Sequence, residues 1–285
     1  MADATIIDGR KLAKAVRGEL TGRVARLNGE GRSVQLDAVL IGSDQGAQLY
    51  AKNQATACSE IGIEYTLHEM DETASQDEIE AKIDELNADS SVNAIMVNMP
   101  PPDGVDASSI QTRIAVDKDV EGVNPANIGN IVFGMRSLVP CTALAVLEMI
   151  ESTGIEIKGA LAVCVGASTI VGKPVAVLLM QAEATVISTN KYTTDQESLT
   201  RDADILVTAA GVPNLITAQS VKDGAVVIDV GINRVVGDDG KKHMVGDVDF
   251  EAVKSVAGFI SPVPGGVGPM TVAMLLRNTV QAAEN

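Results

Sequence analysis

Apolar and polar positions switch repeatedly between the helical and the strand period along this chain. The first half predicts a helix over 8–28, a buried strand over 35–41 and a long helix over 43–61 with Ser43 as its N-cap. A strand over 64–68, a helix over 76–86 and a short buried strand over 94–97 follow. A proline-rich loop comes next, with PPP at 100–102 and then Asp103-Gly104. From Pro140 the second half opens on a helix capped by Thr142 and running to Glu151. Strand 160–165, helix 171–181 and strands 185–188, 205–208 and 226–230 come after it. This succession implies a parallel sheet with right-handed crossovers. The loop SPVPGGVGPM at 261–270 leads into a last helix ending near Ala283. The expected fold class is α/β in two domains.

Composition narrows the options. Aromatic residues make up 2% of the 285 positions and Trp is absent, so the core must be aliphatic, as suits helices packed on a buried parallel sheet. A net charge of −16 repels phosphate backbones and anionic lipid, which makes nucleic acid and membrane poor partners. It does not exclude a small anionic ligand held by backbone amides. Cys58, Cys141 and Cys164 are widely spaced and only His68 and His243 are available, so neither a disulfide framework nor a zinc site is expected. No long apolar run and no basic-then-apolar leader stands out, so a cytoplasmic location is expected.

The segment AVCVGASTIVGKP at 162–174 reads as strand, tight turn and helix start. Gly166 permits the turn and Gly172 a close approach of helix to strand. The turn residues Gly166, Ala167, Ser168, Thr169 and Ile170 are candidates for contacting a dinucleotide. The spacing is not GxGxxG, and an ordinary βα turn would look the same in isolation. Two more strand ends carry glycine, at Ala210-Gly211 and Gly231-Ile232, and three such ends in one domain favour a nucleotide crevice. No carboxylate follows the second strand to bind a ribose hydroxyl. Lys191 stands there instead, either facing a 2′-phosphate or simply solvated.

Taken together the motifs resemble the FolD-type methylenetetrahydrofolate dehydrogenase/cyclohydrolases. The matching pieces are Tyr50 in a helix ending ACSEIGI (57–63), IMVNMPPP (95–102), KDVEGVNPANIG (118–129), PCTALAVLEMI (140–150), GASTIVGKP (166–174), DVGIN (229–233) and PGGVGPMTVAMLL (264–276). They occur in the family's order over nearly the whole chain. The resemblance implies a folate-binding catalytic domain over 1–139, with 268–285 packing back on it. It implies a Rossmann-like doubly wound NAD(P) domain over 140–267, with a cleft between the two. It further implies a tetrahydrofolate substrate, NADP or NAD as hydride acceptor, and a homodimer.

Departures from the family pattern carry the mechanistic expectation. Bifunctional members hold Lys where Gln54 stands, Gln where Asn98 stands, Asp where Glu121 stands and Arg where Ala167 stands. Hydride transfer needs positioning and charge stabilisation but no base. Tyr50, Gln54 and Glu121 are the candidate catalytic residues, and Asn98, Pro264, Gly265 and Gly266 the candidate substrate contacts. Hydrolysis of the methenyl product profits from a titrating group, and an amide cannot titrate. At about 100° per residue Gln54 lies roughly 40° from Tyr50, whereas Lys52 falls on the opposite face as a surface lysine. The expectation is dehydrogenase activity with cyclohydrolase activity lost. A full bifunctional enzyme, a folate- or nucleotide-binding protein without turnover, and a shikimate-type dehydrogenase are the alternatives. Ala167 cannot pair with a 2′-phosphate, which tilts the expected preference toward NAD against the opposing sign of Lys191.

Overall fold

The computed structural model describes residues 3–135, 137–236 and 240–285. They form two compact units. One comprises residues 14–141 and 272–285, the other residues 1–13 and 142–271. In chain order the elements begin with β1 (Thr5–Ile6), α1 (Gly9–Gly29), β2 (Gln35–Ile41), α2 (Gln45–Ile61), β3 (Glu64–Met70), α3 (Gln76–Ala88), β4 (Ala94–Val97), α4 (Ala107–Arg113) and α5 (Pro125–Val132). The second half holds α6 (Cys141–Glu151), β5 (Leu161–Val165), α7 (Gly172–Gln181), β6 (Thr185–Thr189), α8 (Gln196–Arg201), β7 (Ile205–Thr208) and β8 (Val226–Asp229). It ends with β9 (Asn233–Val236), β10 (Lys242–Val245), α9 (Phe250–Lys254), β11 (Phe259–Ile260) and α10 (Val267–Glu284).

The first-half unit is built on a parallel three-stranded sheet in the order β3-β2-β4. β2 is central, and every residue from Leu36 to Ile41 is buried. Ile79, Ile83 and Leu86 recur at helical spacing on α3 and close one face of this sheet over Val39, Ile41, Ile95 and Val97. Ser75 and Glu78 start α3 as a reciprocal capping box. α2 is capped by Asp44, whose carboxylate accepts from the Ala47 amide at 2.8 Å, and not by Ser43 as expected. Thr142 likewise sits inside α6, one residue past its first residue Cys141, and not at the N-cap. The first amide of that helix, on Cys141, donates to the Glu121 carbonyl at 3.1 Å.

The second-half unit carries a six-stranded parallel sheet in the order β1-β11-β8-β7-β5-β6. The chain proceeds from β5 outward to β6, then returns past β5 to β7, β8 and β11. That reversal makes the carboxyl end of β5 the topological switch point. Residues 1–13 group with this unit and not with the first domain, because β1 extends its sheet beside β11. The boundary expected at 139/140 falls between Cys141 and Thr142, and the later one falls between Thr271 and Val272. Among the described residues no helix is long and apolar enough to cross a membrane.

Gly172 shows why glycine opens α7. A Cβ built there would overlap the Gly166 carbonyl oxygen and come within 3.1 Å of the Ala167 Cα, both backbone atoms with no room to yield. Gly172→Ala should therefore destabilise by about 2–3 kcal/mol through overpacking. Gly18→Ala, at an open position inside α1, should stabilise by about 0.5–1 kcal/mol. Urea midpoints of the two variants against wild type measure both effects.

Candidate functional site

In the first-half unit the helical stripe read from Tyr50, Gln54 and Cys58 turns toward the sheet. Gln54 is 1% exposed and Cys58 fully buried, while Tyr50 keeps 37% of its surface. The Gln54 Nε2 donates to Met96 Sδ at 2.9 Å, and its Oε1 accepts from the Tyr65 hydroxyl at 3.5 Å. Lys52 on the opposite face is exposed, as expected. Met96 lies on β4, two residues before Asn98. Asn98 is buried, and its Nδ2 donates to the Val39 carbonyl at 3.3 Å alongside its own backbone amide at 2.9 Å.

Glu121 is half-buried and not a freely solvated loop carboxylate. Burial pushes its pKa up to about 8, with the neighbouring Asp119 charge adding to the rise, and no donor or cation among the described residues offsets them. The Tyr50 hydroxyl is pushed up to about 12, first by burial and then by the fields of Glu121 and Cys141, against a hydrogen bond to Gln54. Tyr50, Gln54, Glu121 and Cys141 therefore share one electrostatic neighbourhood.

The Glu121 turn is held from beneath. Asp119 is fully buried, and its Oδ2 accepts from the Asn124 amide at 2.7 Å and the Asn127 side chain at 2.9 Å. Asn278 on α10 donates to the Val120 and Val139 carbonyls, both at 2.8 Å. Cys141 Sγ also reaches the Val120 carbonyl, at 3.1 Å. Sequence reading missed Asn278, since a buried polar residue inside an apolar helix declares no partner.

In the second-half unit a cavity of about 610 Å³ opens where β5, β6 and β7 end. Gly166, Ala167, Ser168, Lys191 and Ala210 line it, joined by Asn190, Thr193, Gln196, Val212 and Leu215, which the sequence did not single out. Asn190 was the most legible of these, standing directly after β6, the strand beside β5. Gly166 has φ +103, and a Cβ there would overlap the Ala209 carbonyl oxygen, so only glycine lets the turn after β5 pack this closely on the end of β7. A cavity bounded by backbone at a helix entry fits a nicotinamide dinucleotide.

Other expected cofactor positions differ. Thr169 and Ile170 are exposed beside the cavity and do not line it. Ile232 is 63% exposed. Gly231 is buried because the carboxylate of Asp247 occupies the space a side chain would take, so its lack of a Cβ serves the protein's own packing. The amides of Ala210 and Gly211 also point at Asp247, at 2.6 and 3.1 Å.

Pro264, Gly265 and Gly266 lie in this same unit, and so not in the unit of Tyr50, Gln54, Asn98 and Glu121. Gly9 packs directly on Gly266, where a Cβ on Gly9 would overlap the Gly266 carbonyl oxygen. Among the described residues no cluster of His, Cys, Asp or Glu could hold a metal ion.

Residues 140–285 match the NAD(P)-binding domain, and residues 7–121 the catalytic domain, of the tetrahydrofolate dehydrogenase/cyclohydrolases. The bifunctional protein FolD of Moorella thermoacetica is 48% identical over 98% of this chain and 99% of its own. The crystal structure of the bifunctional FolD enzyme from Campylobacter jejuni superposes with a TM-score of 0.95 at 42% identity, covering 99% of both chains. The Trypanosoma brucei FolD, solved with NADP and an inhibitor, gives 0.93 at 36% identity over 100% of this chain and 98% of that one. Similarity of this depth across both units goes beyond a shared fold and removes the shikimate-type alternative: the chain belongs to the tetrahydrofolate dehydrogenase/cyclohydrolase family.

Proposed function

We propose that this protein oxidises 5,10-methylenetetrahydrofolate to the methenyl form, binding the folate through the first-half unit and a nicotinamide dinucleotide in the cavity at the ends of β5, β6 and β7. The observation that carries this reading is that cavity, which opens at the carboxyl ends of β5, β6 and β7, beside the topological switch point of the sheet. Bound NAD(P)+ supplies the hydride acceptor. The substrate's own nitrogen lone pair expels the hydride and leaves an amidinium cation, so no base has to take a proton from carbon. The chain's part is orientation and charge. Tyr50 and Asn98 orient the pterin, and ionised Glu121 stabilises the developing cation in a poorly solvated setting.

A second reading adds hydrolysis of the methenyl product at the same site. The names of the relatives favour it over the loss of hydrolysis expected from Gln54. It would rest on Glu121, whose carboxyl burial and the neighbouring Asp119 push up to about 8. Supplying methylenetetrahydrofolate with each dinucleotide and following the methenyl product tests both readings. No product with either cofactor overturns the first, and product that accumulates without decay overturns the second.

The preference for NAD expected from Ala167 gains no support from the relatives, one of which is solved with NADP. Lys191 lines the cavity, with its ammonium 5.0 Å from the Tyr192 ring centre, and supplies a cation for a 2′-phosphate. Lys191→Ala should lower kcat/KM for NADP about tenfold and leave that for NAD within about twofold. Equal losses for both cofactors would return Lys191 to the solvated surface. Homodimerisation belongs to this reading as well, and sedimentation at micromolar concentration checks it.

A further inference from the structure

Asp247 is fully buried at the rim of the nucleotide cavity, outside every helix and strand. Its Oδ2 accepts from Thr208 Oγ1 at 3.1 Å, the Ala210 amide at 2.6 Å and the Gly211 amide at 3.1 Å. Its Oδ1 accepts from the Val212 amide and from Asn233 Nδ2, both at 2.9 Å. Three successive amides converging on one point form a nest, the backbone concavity that commonly binds phosphate. Here the protein's own carboxylate fills it.

A second carboxylate buttresses the first. Asp229 accepts from the Gly231, Asp247 and Val248 amides at 2.9, 3.1 and 2.9 Å, and its own amide donates to Ser261 Oγ at 2.8 Å. Gly231 and Gly246 lack side chains where Asp247 and Asp229, respectively, need the room.

We propose that Asp247 is a positioning residue for dinucleotide binding: by filling the nest at 210–212 and holding Asn233, it fixes the loops after β7 and β8 in the one arrangement that walls the cavity. This rests on the reading that the cavity takes a dinucleotide. Ala209, Ala210 and Val212 belong to that wall, and Asp247 itself does not line it. With the nest already occupied, a ligand phosphate has the Gly166 turn as its backbone anchor, and the 209–212 loop offers shape instead of charge. A neutral amide cannot replace the carboxylate. Its single oxygen cannot satisfy five donors, and its NH2 would face amides that also donate. The loop would then have to move, and the order that makes binding favourable would go with it.

The test is calorimetric titration of wild type and Asp247→Asn with NADP+ and with NAD+, beside amide hydrogen exchange and steady-state kinetics. The variant should bind about tenfold or more weakly and lose exchange protection at residues 210–212. Its KM for the folate should stay within about twofold, and its kcat at saturating dinucleotide within about threefold. A folded Asp247→Asn that exchanges fast at 210–212 yet binds with wild-type affinity overturns the proposal.

Should that variant fail to fold, Thr208→Val and Asn233→Ala each remove one bond to Asp247. Each should weaken binding about threefold, and unchanged affinity in both overturns the proposal equally. Wild type that binds neither dinucleotide sinks the functional reading itself, whereas wild-type binding with unaffected variants sinks only the role of Asp247.

Discussion

Methylenetetrahydrofolate oxidation should rise roughly twentyfold between pH 6.5 and 8.5, following ionisation of a carboxyl whose pKa is about 8, and Glu121→Gln should flatten that rise. The cause is local. Glu121 is held in a poorly hydrated turn beside Asp119, and nothing among the described residues compensates its charge. In the free enzyme the neutral form therefore prevails at pH 7. The substrate's developing cation is the missing counter-charge, so only ionised Glu121 accelerates the step. At pH 8.5 the Gln variant should be about 10²-fold slower in kcat/KM, the usual cost of losing one preorganised electrostatic contact. A log–log profile of kcat/KM against pH measures both effects. A flat wild-type profile, or a variant with the same slope, would remove Glu121 from the charge-stabilising role.

Stability should move the opposite way. The folded protein keeps a proton on Glu121 that the unfolded chain releases near its ordinary carboxylate pKa. This group's contribution is thus fully present below the unfolded value and is lost as pH rises through about 8. Glu121→Gln should retain its melting temperature at pH 9 better than wild type does. Gain of stability with loss of rate at the same residue would mark a site held in tension for function.

The sequence made β2, β4 and β7 legible to the residue, because a buried parallel strand leaves a short, mostly apolar run between polar punctuation, broken in β2 only by Asp37. It could not reveal β1 or β11. Two residues hold no period, and each strand exists only through its neighbour in the sheet. α5 carried a readable start in Asn124-Pro125, a cap followed by proline at the first helical position, which the resemblance absorbed as a motif without its element.

At the site, the helical stripe from Tyr50 to Cys58 was visible because its period is local. Asp247 was not. Its partners lie 14 to 39 residues away in the chain, and a Gly-Asp pair in a loop looks like any turn. Gly211 and Gly231 stood out in the sequence as strand-end glycines, but nothing there showed that the amide of one and the missing side chain of the other meet that carboxylate.

Gln54→Lys should raise hydrolysis of the methenyl product by about 10² or more, the usual return on a well-placed titrating group, while oxidation changes by less than about tenfold. The position is 1% exposed, backed by Met96 and near the Tyr65 hydroxyl. Burial there would lower a lysine's pKa, and ionised Glu121, already in the neighbourhood of Tyr50, would raise it again. The two opposing shifts leave an amine able to exchange protons near neutrality, which an amide cannot do. Gln54→Met, similar in size and unable to titrate, should give no such gain and so separates proton transfer from simple repacking. Stopped-flow decay of added methenyltetrahydrofolate measures the rate directly. If wild type already hydrolyses it as fast as it forms, and the lysine adds nothing, the proton work belongs elsewhere in the cluster. Glu121→Gln should then abolish hydrolysis, because Glu121 is the carboxyl beside Tyr50 whose pKa lies within reach of neutral pH.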